Sequence, residues 1–227
     1  MDPEVKPGGD LDILGLLPAA SNYTFLARRR DGTLVVYKPQ RGEAPLWDFP
    51  SGTLWRREVA AYAVARAAGW EFVPPTVLAE GPLGIGAVQL FVDHDASITA
   101  FELVETHPRE LKQIAVFDLL TNNADRKAGH VFIDADGRVW GVDHGLCFHV
   151  QPKLRTVLWD FVGEPIPDED LAAVEGVCRA VEQDPSLVGD LLAPQEVDAL
   201  RKRARLIARR GVFPPADHRR SYPWPPI

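Results

Sequence analysis

Strand patterns fill the first part of this 227-residue chain and helix patterns fill the second, and this order limits the folds open to it. Three early segments are rich in aliphatic and aromatic residues, and Asp31-Gly32, between the second and third of them, favours a tight hairpin turn. The segments are residues 11–17, 23–30 and 33–38. Together they predict an antiparallel meander.

The rest of the first part adds a helix and a return to the sheet. Residues 54–68 are Ala-rich and helical in pattern, and Gly69 is expected to end that helix. Pro74-Pro75 opens an extended segment, and a turn over residues 81–86 leads into an apolar strand at 87–92.

Helical patterns dominate after residue 92. Residues 108–120 predict a buried helix, and residues 168–183 and 194–210 predict two more. A short hairpin is expected over residues 131–142, turning at Asp136-Gly137. The sequence thus predicts an α+β, two-lobed architecture in one domain: a small antiparallel-sheet lobe over residues 1–92 and a mainly helical lobe over residues 93–227, with a cleft between them.

Composition excludes several classes of protein. The formal net charge of −7 argues against a general nucleic-acid binder, which needs a broad positive surface. Cys147 and Cys178 are too few for a disulfide framework, and no secretion signal or 18-residue apolar run is present. We expect a cytoplasmic protein without a transmembrane segment. The oligomeric state does not follow from the sequence.

Four charged residues occupy positions that suggest a functional site. Lys38 ends an apolar strand, where an ammonium group needs an anion, and Glu58 follows 20 residues later in a predicted helix. Asp125 and Asp143 flank the short hairpin, whose two ends lie side by side. Taken singly, each suits a surface or turn position. Together they match phosphoryl transfer, in which one carboxylate meets the attacking hydroxyl and another holds the metal on the phosphates.

Four stretches carry a resemblance to a known family. They are VYKPQRGEAP, REVAAYAVA, VQLFVD and NADRKAGHVFIDADGRVWGVDHGLCF. From about Ser21 to Phe148 the chain resembles the phosphatidylinositol 3/4-kinase-like branch of the protein-kinase-like fold, and most of all type II phosphatidylinositol 4-kinases and HipA-type kinases. The resemblance implies that Lys38 contacts the nucleotide phosphates with Glu58 as its partner.

The same resemblance assigns the remaining roles. Asp125 would be the catalytic aspartate, with Arg126 bracing its loop, and Asp143 the magnesium ligand. The backbone of a hinge would hold the adenine edge; its residues are Gln89, Leu90, Phe91 and Val92.

Two features depart from the family pattern. His130 stands where the family has an Asn as second metal ligand; imidazole suits manganese better than magnesium, and the alternative is a loop histidine bonded to a backbone carbonyl. No Gly-x-Gly-x-x-Gly separates the first two strands. Backbone amides with the Ser21 hydroxyl and the Asn22 amide are the candidate phosphate cap there.

The sequence therefore predicts an ATP-binding phosphotransferase that depends on Mg²⁺ or Mn²⁺, with a protein, small-molecule or lipid acceptor left open. Two alternatives remain: an inactive nucleotide-binding pseudokinase that acts as a scaffold, and an enzyme that transfers AMP. A basic run at 201–210 shares its helix with an apolar face. It is interpreted as a solvated face, with an anionic membrane or substrate patch as the alternative.

Overall fold

The computed structural model describes residues 10–18, 22–216 and 221–227. It contains a five-stranded antiparallel sheet in the order β1-β2-β3-β5-β4, followed by helices and a two-stranded hairpin. The elements are β1 Leu11–Leu16, β2 Phe25–Arg29, β3 Leu34–Pro39, α1 Leu54–Ala67, β4 Thr76–Gly81, β5 Gly84–Leu90, α2 Ala100–Thr106, α3 Pro108–Thr121, β6 Val131–Ile133, β7 Val139–Gly141, α4 Asp168–Gln183, α5 Ser186–Gly189 and α6 Pro194–Arg210.

Two features position strand β3: the alternation of buried and less buried side chains along it, and the close approach of its backbone to that of β5. Val35 and Tyr37 are fully buried on one face of the sheet, so Lys38 projects from the opposite face. Pro39 pairs with Gly86 of β5, where a Cβ would lie 2.4 Å from the carbonyl oxygen of Lys38. Only glycine allows this contact, which fixes the height at which Lys38 leaves the sheet.

Helix α3 is the centre of the helical part. Its fully buried side chains belong to the main hydrophobic core, and the helix packs against α2, α4 and α6. Asn122 ends the helix in the left-handed region, at φ 56°, and its side-chain amide donates to the carbonyls of His149 and Gln151, each at 2.8 Å. The loop that follows α3 is thereby held against the 149–151 segment.

Most predicted elements appear where the patterns place them, and the bounds of α4 and α6 match the predicted ranges. The turn before β5 is shorter than expected, because β5 already begins at Gly84. Helix α2, with seven residues, was not predicted.

The last seven residues pack on the body of the molecule. The Ser221 carbonyl accepts from the amide of Thr156 at 3.0 Å, and the Pro226 carbonyl accepts from the amide of Ala128 at 2.8 Å. Ala128 lies in the loop after α3, so this C-terminal arm braces that loop.

No helix within residues 10–18, 22–216 and 221–227 combines the length and the apolar character needed to cross a membrane.

A buried ion pair ties α1 to the helical part. The Arg57 side chain is 2% exposed; it donates to Glu196 Oε1 of α6 at 2.5 Å and to the Cys147 carbonyl at 2.6 Å. Glu196 also accepts from the amide of Ala193 and so caps α6.

We expect Arg57→Met to lower the free energy of unfolding by about 3–5 kcal/mol, because it leaves the Glu196 carboxylate buried without its cation. Urea denaturation measures this loss. The double variant Arg57→Met/Glu196→Gln should be less destabilised than the sum of the two single variants. Strict additivity would contradict the pairing.

Candidate functional site

Three charged side chains from distant parts of the chain meet at the base of the sheet. Lys38 Nζ from β3 donates to Glu58 Oε1 of α1 and, at 3.2 Å, to Asp143 Oδ1, which follows β7. The amide of His144 donates to the other Glu58 oxygen at 3.1 Å. One ammonium group thus bridges the sheet, the first helix and the hairpin.

The charges of Lys38 and Asp143 stabilise each other, whereas burial raises the pKa of Glu58 above its usual range although Lys38 opposes the shift. Burial alone would lower the pKa of Lys38, but Glu58 and Asp143 outweigh it and raise that pKa above its usual range. Burial would likewise raise the pKa of Asp143, but the ammonium charge of Lys38 outweighs it and holds that pKa below its usual range. The cluster therefore offers a fixed cation beside a fixed anion.

The backbone turns sharply at Asp143. Its φ of 61° lies in the left-handed region that few non-glycine residues occupy. Strain of this kind persists where the surrounding structure enforces it, as it does at many functional sites. The turn leaves the Asp143 side chain 53% exposed while Glu58 is 3% exposed. Of the two carboxylates, Asp143 is the one that a ligand can reach.

Asp125 lies in the loop after α3. The side-chain oxygen of Asn123 accepts from the Asp125 amide at 3.0 Å, and Lys127 Nζ lies 3.9 Å from Asp125 Oδ2. Burial raises the pKa of Asp125 to about 6, with Lys127 opposing the shift and Asp143 adding to it. Asp125 is thus a more basic carboxylate than an exposed aspartate, which suits a group that accepts a proton.

Arg126 holds this loop from below. It is fully buried with Asp118 of α3, and its Nε and Nη2 donate to that carboxylate at 2.9–3.2 Å. Its Nη1 donates to the Val142 carbonyl at 2.8 Å. Arg126 therefore joins the Asp125 loop to the residue just before Asp143.

His130 faces Asp143 as a neutral ring. Burial lowers the pKa of His130 to about 4. The positive charges of Arg126 and Lys38 lower that pKa as well, while the negative charge of Asp143 opposes the shift. The Lys127 amide donates to Nδ1 at 3.4 Å, so the ring proton belongs on Nε2, 3.3 Å from Asp143 Oδ2. This tautomer presents an N–H group beside the Asp143 carboxylate.

The protein supplies few metal ligands here. In the described ranges, no group of three or more His, Cys, Asp or Glu side chains is arranged to hold a metal ion. Asp143 offers the hard oxygen that Mg²⁺ or Mn²⁺ prefers, and Mg²⁺ commonly takes its other ligands from phosphates and water. The residues present thus fit a metal that arrives with a phosphorylated ligand.

One cavity of about 180 Å³ brings most of the predicted site residues together. They are Asn22, Lys38, Glu58, Asp125, His130 and Asp143. Asn22 also binds the protein itself, since its Oδ1 accepts from the Ala44 amide at 2.8 Å. Ser21 lies outside the described residues, and Arg126 lies beneath the cavity.

The predicted hinge does not line this cavity. The Leu90 amide donates to Pro75 and the Phe91 amide to Leu34, at 2.8 and 3.1 Å. The Gln89 side chain is buried and donates to Thr76. Val92 lies beyond the end of β5, so among the four hinge residues its backbone is the least involved in the sheet.

Sequence reasoning missed three residues of the site. Lys127 lines the cavity and directly follows Asp125-Arg126, so its position in the motif could have revealed it. Asp118, an acid within an apolar helix pattern, could have signalled a buried cation. Glu43 accepts from the Trp55 amide at 2.8 Å and so caps α1 from a distant loop, for which the sequence holds no signal.

Comparison with known proteins identifies a kinase-like fold. The family model for phosphatidylinositol 3- and 4-kinase matches residues 78–172. The crystal structure of the Helicobacter pylori proinflammatory kinase CtkA superimposes with a TM-score of 0.54 at 12% identity, over 91% of this chain and 95% of that one. The Golgi casein kinase with Mn/ADP bound gives 0.52 at 14% identity, over 91% and 73%. The two-lobed kinase fold predicted from the sequence is confirmed.

Sequence relatives define the family. "Protein Rv2133c" of Mycobacterium tuberculosis is 40% identical over 97% of this chain and 94% of its own length, and this chain belongs to its family. Phosphatidylinositol 4-kinase gamma 4 of Oryza sativa subsp. japonica is 30% identical over 70% of this chain and 33% of its own length. The resemblance to phosphatidylinositol 3/4-kinases is thereby confirmed.

We expect Lys38→Met to destabilise the protein by about 2–4 kcal/mol at pH 7, because it leaves Glu58 buried without its cation. Burial already raises the pKa of Glu58 while Lys38 opposes the shift. Without Lys38 that pKa should rise further, so the loss of stability should grow as the pH rises above the ordinary pKa of a glutamate. Urea denaturation at several pH values measures it.

Lys112→Met is the matched control, because Lys112 pairs with Glu164 at the surface. It should change the stability by less than about 1 kcal/mol at every pH. Equal effects of the two substitutions would contradict the buried ion cluster.

Proposed function

We propose that this protein is an ATP-binding, metal-dependent phosphotransferase that transfers the γ-phosphoryl group to an alcohol acceptor. The observation that carries the proposal is the convergence of Lys38, Asp143 and Asp125 on one cavity between the sheet and the helical part. The comparisons support a kinase-like domain; the nucleotide, the metal and the acceptor are the parts proposed here.

Lys38 would bind the nucleotide phosphates. Its ammonium group is held by Glu58 from behind and meets Asp143 in front. A phosphate oxygen can take the second of these contacts, because Asp143 is half exposed and Glu58 is not. Glu58 then keeps the ammonium group in place while the ligand binds.

Asp143, with His130 beside it, would hold Mg²⁺ or Mn²⁺. When bound, the metal neutralises phosphate charge as the phosphoryl group departs. His130 need not bind the metal itself, since its Nε2 lies 3.3 Å from Asp143 Oδ2 and is close enough to influence the position of that carboxylate.

Asp125 would orient the acceptor hydroxyl and take its proton. Its loop is fixed by the Arg126–Asp118 pair, and Lys127 lies close enough to balance charge that develops nearby. Beyond Asp143 the chain offers Lys153 and Arg155, and Lys153 is paired with Asp48 at 2.7 Å. This leaves little positive charge for a lipid headgroup and favours a protein or small-molecule acceptor.

Asp143→Asn should lower ATP turnover by at least about 10³-fold, since the charge that holds the metal is gone. Asparagine tolerates the left-handed backbone at this position, so the thermal unfolding curve should keep its shape. Asp136→Asn, in the exposed turn of the hairpin, is the control and should retain full activity. Full turnover by Asp143→Asn would refute the assignment.

The pH profile should report Asp125. Because its pKa is raised to about 6, kcat/KM should rise tenfold per pH unit below pH 6 and level off above it. Asp125→Asn should abolish activity, because asparagine cannot accept the proton. It should also raise the stability at pH 7.5, because the folded protein disfavours the ionised carboxylate that asparagine replaces. An active Asp125→Asn protein, or a profile flat down to pH 5, would exclude Asp125 as the base.

His130 favours a second candidate, a nucleotide-binding scaffold without turnover, because it stands where the family has an asparagine as second metal ligand and a neutral imidazole suits Mg²⁺ poorly. Nucleotide affinity measured with and without Mg²⁺ or Mn²⁺, alongside ATP consumption, separates the two. Binding without turnover in either metal supports the scaffold. The mass added to any product distinguishes phosphoryl from AMP transfer.

A further inference from the structure

A second cavity, of about 910 Å³, lies in the helical part away from the site described above. Helix α6 forms one wall, and the 150–163 segment and residues 212–215 form others. Ligand-binding pockets commonly span about 300–1,000 Å³ and are mostly apolar with a few polar groups. This cavity has both properties, and the proposed phosphotransferase does not use it.

Among the described residues, the charge that lines this cavity is of one sign. Lys202, Arg203 and Arg210 line it, and no acidic residue of the described ranges does, although the chain carries a net charge of −7. None of the three forms an ion pair within the described part of the chain. Their neighbours Arg201 and Arg205, which do not line the cavity, both pair with Glu182 of α4. The basic residues of α6 that face α4 are thus paired with an acid, whereas those that face the cavity are not.

Arg203 places in the cavity wall a charge that no carboxylate hydrogen-bonds, although Glu196 of α6 lies near enough to act on it through space. Its Nε donates to the Leu120 carbonyl at 2.8 Å and its Nη1 to the His149 carbonyl at 3.2 Å, while its Nη2 is buried without a partner among the described residues. Burial lowers the pKa of Arg203 to about 10. A buried guanidinium without a carboxylate is costly unless an anion approaches it.

Apolar side chains surround the opening. Val150, Val162, Leu206 and Val212 line the cavity and are 37–45% exposed. Leu206 lies one helical turn from both Lys202 and Arg210, so apolar and cationic groups alternate along one face of α6. A ligand that covers this face needs an apolar body and an anionic end.

We propose that this cavity binds a single-chain anionic amphiphile, of the chemical class of a fatty acid. The chain would lie against Leu206, Val162 and the inner apolar wall, and the anionic group would meet Lys202 or Arg210 at the opening. Arg203 adds positive potential from beneath. The occupant is a monomer that enters the cavity, because the space is concave and of ligand size.

Laurate, used below its micelle concentration, is the probe. We expect saturable 1:1 binding by calorimetry and a rise in melting temperature with laurate concentration. The total tryptophan fluorescence should also change, because Trp159 lines the cavity, and a Trp159→Phe variant should lose that change. Dodecanol, which has the same chain without the charge, should bind at least tenfold more weakly. Absence of saturable binding, or equal affinity for the alcohol, would overturn the proposal.

Two double variants with the same change in net charge test the location. Lys202→Gln/Arg210→Gln should weaken laurate binding at least tenfold, whereas Arg205→Gln/Arg209→Gln, outside the cavity, should leave it unchanged. All four substitutions lie at exposed positions of α6, so both proteins should fold. Equal losses in the two variants would overturn the proposal. So would binding to anionic vesicles without binding to monomeric laurate, which would assign this face to a membrane.

Discussion

The structure depends on the burial of one ammonium group among carboxylates. Lys38 leaves the sheet toward α1, and its charge is acceptable there only because Glu58 and Asp143 meet it. These three residues come from the sheet, the first helix and the segment after the hairpin. The electrostatic requirement of a single side chain therefore fixes the relative positions of three elements, and the cavity between them follows.

A buried ion pair then holds the loop that carries Asp125. Arg126 and Asp118, both without exposure, fix the loop of Asp125 to α3 and to the end of β7. At the cavity itself the pattern reverses, since Asp125 is disfavoured as an anion and Asp143 has a strained backbone. Binding and catalytic sites commonly combine these two features: stable buried ion pairs beneath the site, and residues within it whose ionisation or backbone conformation costs stability.

The sequence predicted what depends on local pattern and on recognisable motifs. Long periodic helices such as α4 and α6 were placed to the residue, and the proximity of Lys38, Glu58 and Asp143 followed from the motifs although 105 positions separate the first from the last. Helix α2 was missed although Thr99 and Glu102 form a capping box, because seven residues give too little periodicity. The partners of Arg57 and Arg203 depend on tertiary contacts, which no local pattern encodes.

Neighbouring residues on α1 bind different parts of the molecule: Glu58 holds the lysine of the sheet, while Arg57 is anchored to α6 and to the Cys147 carbonyl. Swinging this helix outward would expose or separate a buried pair, at a cost of several kcal/mol. The helix is poorly suited to serve as a movable on/off element. The cavity is therefore formed before a ligand arrives, and binding there requires no swing of α1.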